Sequence, residues 1–280
     1  MNKHLLKLEF DKILEQLSSY SIIDNTKDLA LNLKPINDLV YLNDSLNEID
    51  EALKIILRLQ RPPIFFSKDL SYIPSFVRKG GLLDGLEIYL IGQFYKTIKE
   101  NKIFVNSLLK ENIECSKYYS IVSTLNYNEY LHQLIERSVD ETGYVLDSAT
   151  PTLRQIRGKL EKIESKIKSK LQEILNKESK KLSLNVISQR DGHFVIPVKT
   201  EYKNSIKGAV LDVSATSQTV YIEPIEIIEI QSLKNEYLRE EKEEVERILN
   251  NITLDILNEA DYIEDDFKKI IHIDLVFSKR

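Results

Sequence analysis

The feature that most constrains this chain is a proline-free run from Leu153 to Lys181, in which Leu153, Ile156, Leu160, Ile163 and Ile167 recur at alternating steps of three and four. That alternation is the seam of a coiled coil, so the run predicts a long helix whose single apolar stripe requires a partner. Its start is marked by Asp147-Ser148-Ala149-Thr150-Pro151. Thr150 can cap, and proline suits the first helical position because its missing N–H has no partner there in any case. The alternation breaks phase at Leu171, Ile174 and Leu175, in the manner of a stutter.

The partner follows from the next change of period. Val186–Gln189, Phe194–Lys199, Ala209–Val213 and Thr219–Glu223 are β-branched or aromatic runs, and Arg190-Asp191-Gly192 between the first two is a hairpin signal. These predict four short antiparallel strands, with an edge or a bulge where Pro197 removes a ladder donor. Pro224 closes the β module, and a second long helix runs from Ile225 to about Ala260, with Leu238, Val245 and Ile252 seven apart and Ile248 on the same side. Two helices of similar length around a β insert return the chain only by pairing antiparallel, which gives an arm roughly 45 Å long. Charge agrees. Residues 154–185 carry ten Lys or Arg against four Asp or Glu, and residues 225–265 carry four against thirteen. A basic outgoing helix beside an acidic returning one attracts along its length and disfavours self-pairing of either, although each exposed pair contributes only about 0–1 kcal/mol.

Before the arm the chain reads as a helical bundle. Leu6, Phe10, Ile13, Leu14 and Leu17 stripe a helix over 5–17, and a short one over 24–33 stops near Pro35. Asn37-Asp38 can cap a helix to about Leu59 with Leu42, Leu46, Ile49, Leu53, Ile56 and Leu57 on one face. After Pro62-Pro63, Asp84 can cap a helix to about Asn101, and two more helices fill 102–137. Only eight glycines and seven prolines occur, which favours long helices over a many-turned β fold. The predicted class is therefore mainly α. A helical core spans 1–150 with 261–280 returning to it, an antiparallel coiled-coil lever spans 151–185 and 225–260, and a small antiparallel β module spans 186–224.

Several function classes are excluded at this stage. No apolar run approaches the roughly 20 residues that span a bilayer, and the N-terminus has acidic residues where a signal peptide needs an apolar stretch, so a cytoplasmic location is expected. The single cysteine, Cys115, makes no intrachain disulfide. There is no phosphate-cradling G-x-x-x-x-G-K-[ST], no G-x-G-x-x-G, no H-E-x-x-H and no G-x-S-x-G. His4, His132, His193 and His272 lie on different elements, so no metal site and no catalytic residue is assigned. The net charge of −5 offers no whole-molecule attraction for nucleic acid, so any such binding must come from a local patch. In the β module Arg190, Lys199, Lys203 and Lys207 could line one face with Tyr202 and Tyr221, a combination that contacts phosphates and sugars without reading bases.

The residues Gly192-His193-Phe194-Val195-Ile196-Pro197-Val198-Lys199-Thr200-Glu201-Tyr202-Lys203, then Gly208, Asp212, Ser214 and Val220-Tyr221-Ile222-Glu223-Pro224, resemble the clamp segment of the MutS superfamily. The similarity is greatest to the second bacterial MutS family, which lacks the mismatch-reading N-terminal domain. Leu8-Glu9-Phe10-Asp11-Lys12-Ile13-Leu14, Gly80-Gly81-Leu82-Leu83 and Val145 to Arg154 agree with it, so the likeness covers nearly the whole chain. It departs at His193, where the family usually has Arg or Lys, and in Ser214-Ala215-Thr216-Ser217-Gln218, where the family has a glycine.

The resemblance implies a core, lever and clamp that engage DNA, branched or duplex, or ribosomal RNA, in suppression of recombination or rescue of stalled ribosomes. It implies an ATPase domain, with its ATP and Mg, and a Smr nuclease domain outside this chain, so that the chain looks like a fragment without its own enzyme activity or cofactor. It also implies a homodimer in the full-length protein and weak binding by this portion alone. The nucleic-acid contacts expected are Arg190, His193, Lys199, Tyr202, Lys203 and Lys207. The rival expectation is a structural or protein-interaction module whose helical arm presents a partner-binding tip.

Overall fold

The computed structural model describes residues 9–279; the predicted start of the first helix, with Leu6, lies outside them, as does His4. The chain divides into two compact units. One comprises the residues up to Ala149 together with those from Ile248 onward, and the other is Thr150–Arg247. The class is mainly α with one small antiparallel sheet, as the periodicities require.

The first unit contains α1 (Phe10–Tyr20), α2 (Asp24–Leu31), α3 (Leu39–Arg58), α4 (Ile73–Arg78), α5 (Gly85–Lys110), α6 (Ser116–Ser123) and α7 (Glu129–Ser138). It is completed by the end of α9 (Ile225–Asn258) and by α10 (Ala260–Ser278). The predicted caps form. Asp38 accepts from the Val40 and Tyr41 amides, and Asp84 and Glu87 make a reciprocal capping box that opens α5. Phe66, Phe94 and Phe267 meet at centroid separations of 6.0–6.5 Å in the core.

Two expectations fail here for physical reasons. The helix capped by Asp84 continues past Asn101 to Lys110. Asn101 is no terminus but a buried tie: its amide donates to the carbonyls of Pro63 and Thr97, and its oxygen accepts from Tyr118 at 2.6 Å. On α3 the packed face is Glu51, Ala52 and Ile55, one step round from the apolar stripe, which leaves Leu46, Leu53 and Leu57 exposed. Ile13 of α1 is likewise exposed beside buried Leu14.

Glu51 is buried because it caps a helix from a distance. The Cys115 side chain makes no cap for α6, and the Glu51 carboxylate instead accepts from Ser116 Oγ and from the amides of Lys117 and Tyr118 at 2.8–3.1 Å. The same device anchors α10. Asp266 accepts from the Asn126 amide at 2.6 Å, and Asp274, fully buried, accepts from the amides of Ile22 and Ile23 and pairs with Arg61. Arg61 also donates to Ser278 Oγ, which ties the first and last helices of the unit through one guanidinium. Burial lowers the pKa of His132, whose Nδ1 meets the Tyr127 hydroxyl at 2.9 Å.

The second unit is built on α8 (Pro151–Lys177), capped by Thr150 as predicted and followed by a 3₁₀ turn, Ser179–Lys181. All of Leu153, Ile156, Leu160, Ile163 and Ile167 are buried. Cross-helix pairs prove the antiparallel register: Arg157 meets Glu241 at 2.7 Å, Lys234 meets Glu164 at 2.8 Å and Lys170 approaches Glu226 at 3.9 Å, so one index falls as the other rises. Two of these follow the expected polarity, basic on α8 and acidic on α9, and Lys234–Glu164 reverses it. The seam on α9 is Ile227, Ile230, Lys234, Tyr237, Glu241 and Glu244, one residue back from the predicted one, and Leu238 is exposed. Long polar stems cover apolar surface there while their charged heads pair at its edge.

Strands β1 (Ser188–Arg190), β2 (His193–Lys199), β3 (Gly208–Val213) and β4 (Thr219–Pro224) form an antiparallel sheet of order β1-β2-β4-β3. The β1–β2 turn, Asp191-Gly192, has both φ values positive, 48° and 84°, as a two-residue hairpin requires. The bulge lies in β3 between Val210 and Asp212 and not at Pro197. Pro197 sits in the half of β2 that β1 does not reach, where its carbonyl accepts from Ser183. The stutter has a purpose: Leu171, Ile174 and Leu175 turn the stripe of α8 under Ile196, Val198, Val220 and Ile222, making one cluster of helix and sheet.

Arg61→Ala leaves the Asp274 carboxylate buried without its cation and should destabilise the first unit by about 3–5 kcal/mol in denaturant unfolding. Because burial holds His132 neutral, its folded pKa lies below the ordinary 6.5. Its contribution is therefore intact above pH 6.5 and is lost as pH falls through the folded value. A His132→Gln variant should lose less stability than the wild-type chain between pH 7 and 5 in thermal melts.

Candidate nucleic-acid interface

Because successive strand residues face opposite sides, Ile196, Val198, Val220 and Ile222 point to the helices and leave Arg190, His193, Pro197, Tyr221, Asp212 and Glu223 on the outer face. That face carries a linked polar cluster. Arg190 Nε donates to Asp212 at 3.1 Å, and the guanidinium stacks 4.3 Å above the Tyr221 ring. His193 Nδ1 lies 3.0 Å from the carboxylate of Glu223, which is buried while the imidazole is half-exposed. The hairpin thus brings Arg190 and His193 side by side as a register pair, each with a carboxylate of its own.

The lysines are arranged differently. Lys199 ends β2, and its ammonium donates to the carbonyl of Lys180 at 3.2 Å. Tyr202 and Lys203 stand on an exposed 3₁₀ turn, Thr200–Ser205, that Ser205 Oγ closes on the Tyr202 carbonyl. Lys207 immediately precedes β3 and faces Lys177 across a polar groove of about 330 Å³. Among the described residues Lys177, Lys180, Lys203 and Lys207 make no ion pair, whereas neighbouring Lys181 is held by Glu178 at 2.6 Å. The structure therefore gathers Lys199, Lys203 and Lys207 with two lysines that the sequence reading counted only as lever charge. The signal was present in Lys177-Glu178-Ser179-Lys180-Lys181, cations at a helix C-terminus, where the last carbonyls favour them.

No protein-family model matches the chain. Among curated proteins it is similar to Endonuclease MutS2 of Clostridium botulinum (strain Alaska E43 / Type E3), 32% identical over 281 aligned residues that include all of this chain. It is also similar to Endonuclease MutS2 of Listeria monocytogenes serotype 4a (strain HCC23), 34% identical over 97% of this chain, and to that of Clostridium beijerinckii, 30% identical over all of it. The chain spans about 35–36% of the length of these relatives. The chain belongs to the MutS2 family. The clamp-like motifs that carried the resemblance thus fall within a match that runs the whole length of the chain, through the helical parts as well.

For this MutS2-family chain the outer sheet face and the lysine group differ in what they can do. Arg190 and His193 are neutralised inside the sheet and fix its shape, whereas the exposed lysines present charge that has no partner within the protein. No helix of the described residues is long and apolar enough to cross a membrane. His193→Ala strips Glu223 of its imidazole while leaving it buried, and should lower stability by about 1–3 kcal/mol. Lys203→Ala, fully at the surface, should stay within about 0.5 kcal/mol of wild type in the same melt.

Proposed function

We propose that this chain is the core, lever and clamp region of a MutS-like protein, and that it engages the phosphate backbone of DNA or ribosomal RNA through Lys199, Lys203, Lys207 and Tyr202. Lys177 and Lys180 extend the contact, and Arg190 and His193 hold the sheet that presents it. The observation that carries this reading is the convergence of unpaired lysines from α8, β2, the 3₁₀ turn and the start of β3. Cations without a carboxylate nearby release counterions from a polyanion on contact. A rigid helix pair would position the tip, and its register is fixed by Arg157–Glu241 and Lys234–Glu164.

The endonuclease activity in the relatives' name, with ATP, Mg and homodimer formation, we assign to the longer protein and to the portions of those relatives that this chain does not span. In that setting suppression of recombination or rescue of stalled ribosomes would draw on this tip as one arm of a pair, so affinity for the isolated chain is low. A second reading has an observation of its own. Leu184, Val186 and Ile187, beside the lysines in sequence, are exposed, which suits a protein partner.

Salt separates the two. Binding of the chain to a labelled four-way junction, a linear duplex and purified ribosomes, at low and at physiological salt, should weaken as salt rises. The Lys199→Glu/Lys203→Glu/Lys207→Glu variant should abolish it, and Lys199→Ala/Lys203→Ala/Lys207→Ala should reduce the slope of log affinity against log salt on duplex by roughly 2–3. Salt-indifferent binding that survives both variants would point to the apolar tip and a protein partner. No binding to any target at low salt would leave the chain a lever and scaffold only.

A further inference from the structure

The face of α3 that its periodicity selects is not the face that packs. Glu51, Ala52 and Ile55 are buried, while Leu39 is 74% exposed, Leu46 52%, Leu53 37% and Leu57 83%. With half-buried Leu42, Ile49 and Ile56 these residues make a continuous apolar stripe along the 20-residue helix, at the three-four spacing of a coiled-coil seam. Singly exposed leucines are ordinary, but a contiguous strip of this length marks a surface that is normally covered. The spacing fixes the shape of the occupant, a helix laid alongside.

Charge fixes which helix, and in which direction. Asp38, Asp44, Glu48 and Asp50 lie in the first part of α3 and its approach, whereas Lys54 and Arg58 close it. Lys54 is already paired with Asp50 at 2.8 Å and with Glu114, so Arg58 is the cation that the described residues leave without an ion pair. An antiparallel copy of the same helix sets Arg58 near the partner's Asp38 and Leu57 beside the partner's Leu39. A parallel copy sets acid against acid and base against base. We propose that α3 is a self-association surface on which two copies of this chain pair through antiparallel α3 helices. The surface lies in the first unit and is independent of the lysine tip.

Sedimentation equilibrium of the full chain should show a monomer–dimer equilibrium. Leu46→Glu/Leu53→Glu should raise its dissociation constant at least about 100-fold. Both leucines are exposed, so circular dichroism and melting temperature should match wild type and separate lost pairing from lost folding. In a Cys115→Ser background, an oxidised equimolar mixture of the Leu39→Cys and Leu57→Cys chains should give a disulfide-linked dimer that neither gives alone. A chain that stays monomeric up to roughly 100 μM overturns the proposal, since an interface of even modest area associates below that. So does a dimer indifferent to the two glutamates, or a disulfide that forms within either single-cysteine sample.

Discussion

The architecture of the second unit depends on one contact, the passage of the α8 stripe from its partner helix onto the underside of the sheet. A sheet of three- to seven-residue strands cannot stand alone in water, because it buries too little to offset the ordering of its backbone. Leu171, Ile174 and Leu175 supply the missing surface, and Ile196, Val198, Val220 and Ile222 complete it. The break in the heptad is what makes this possible. A strict repeat would have kept the stripe facing α9, whereas the phase change swings it toward the strands.

Polar pairs then do what apolar packing does not. Along the middle of α9 the seam positions are Lys234, Tyr237, Glu241 and Glu244, whose stems lie on the leucines and isoleucines of α8 while their heads meet Glu164, Arg157 and Thr150. Glu244, buried, is held below the usual glutamate range by the hydrogen bond from Arg247 and then by that from Thr150. A seam of this composition gives up apolar burial and gains a single register, since sliding by one turn would unpair every head. The first unit uses buried charge in the same way. Glu51, Asp266 and Asp274 each accept backbone N–H groups from a distant segment, so three exposed-looking acids in the sequence act as internal staples.

The division of labour at the tip follows from the strand period. Residues on the outer sheet face are close enough to neutralise one another, so Arg190 pairs with Asp212 and His193 with Glu223. Residues at strand ends and in the 3₁₀ turns have no such neighbours, and their charge remains available. A list of cations drawn from the sequence mixes these two kinds. Only pairing distances separate them.

The elements, their caps and the antiparallel path were determined by the sequence itself, because helix and strand periods, Thr150-Pro151, Asp38, Asp84 and Asp191-Gly192 are local signals that act over three or four residues. The family was legible too, in the motif around Gly192–Lys203, which is a contiguous run. What the tertiary structure decided was which of two adjacent faces each helix buries. α3 packs through Glu51 and Ile55 and not through its leucines, because Glu51 finds three donors at the start of α6. α9 packs through Tyr237 and not Leu238, because Arg157 and Glu164 wait opposite its polar stripe. Asn101 lies inside a helix and not at its end, because Pro63 and Tyr118 satisfy it there. In each case the deciding partner is remote in sequence, and a hydrogen bond to a buried group outweighs the small difference between one apolar face and the next.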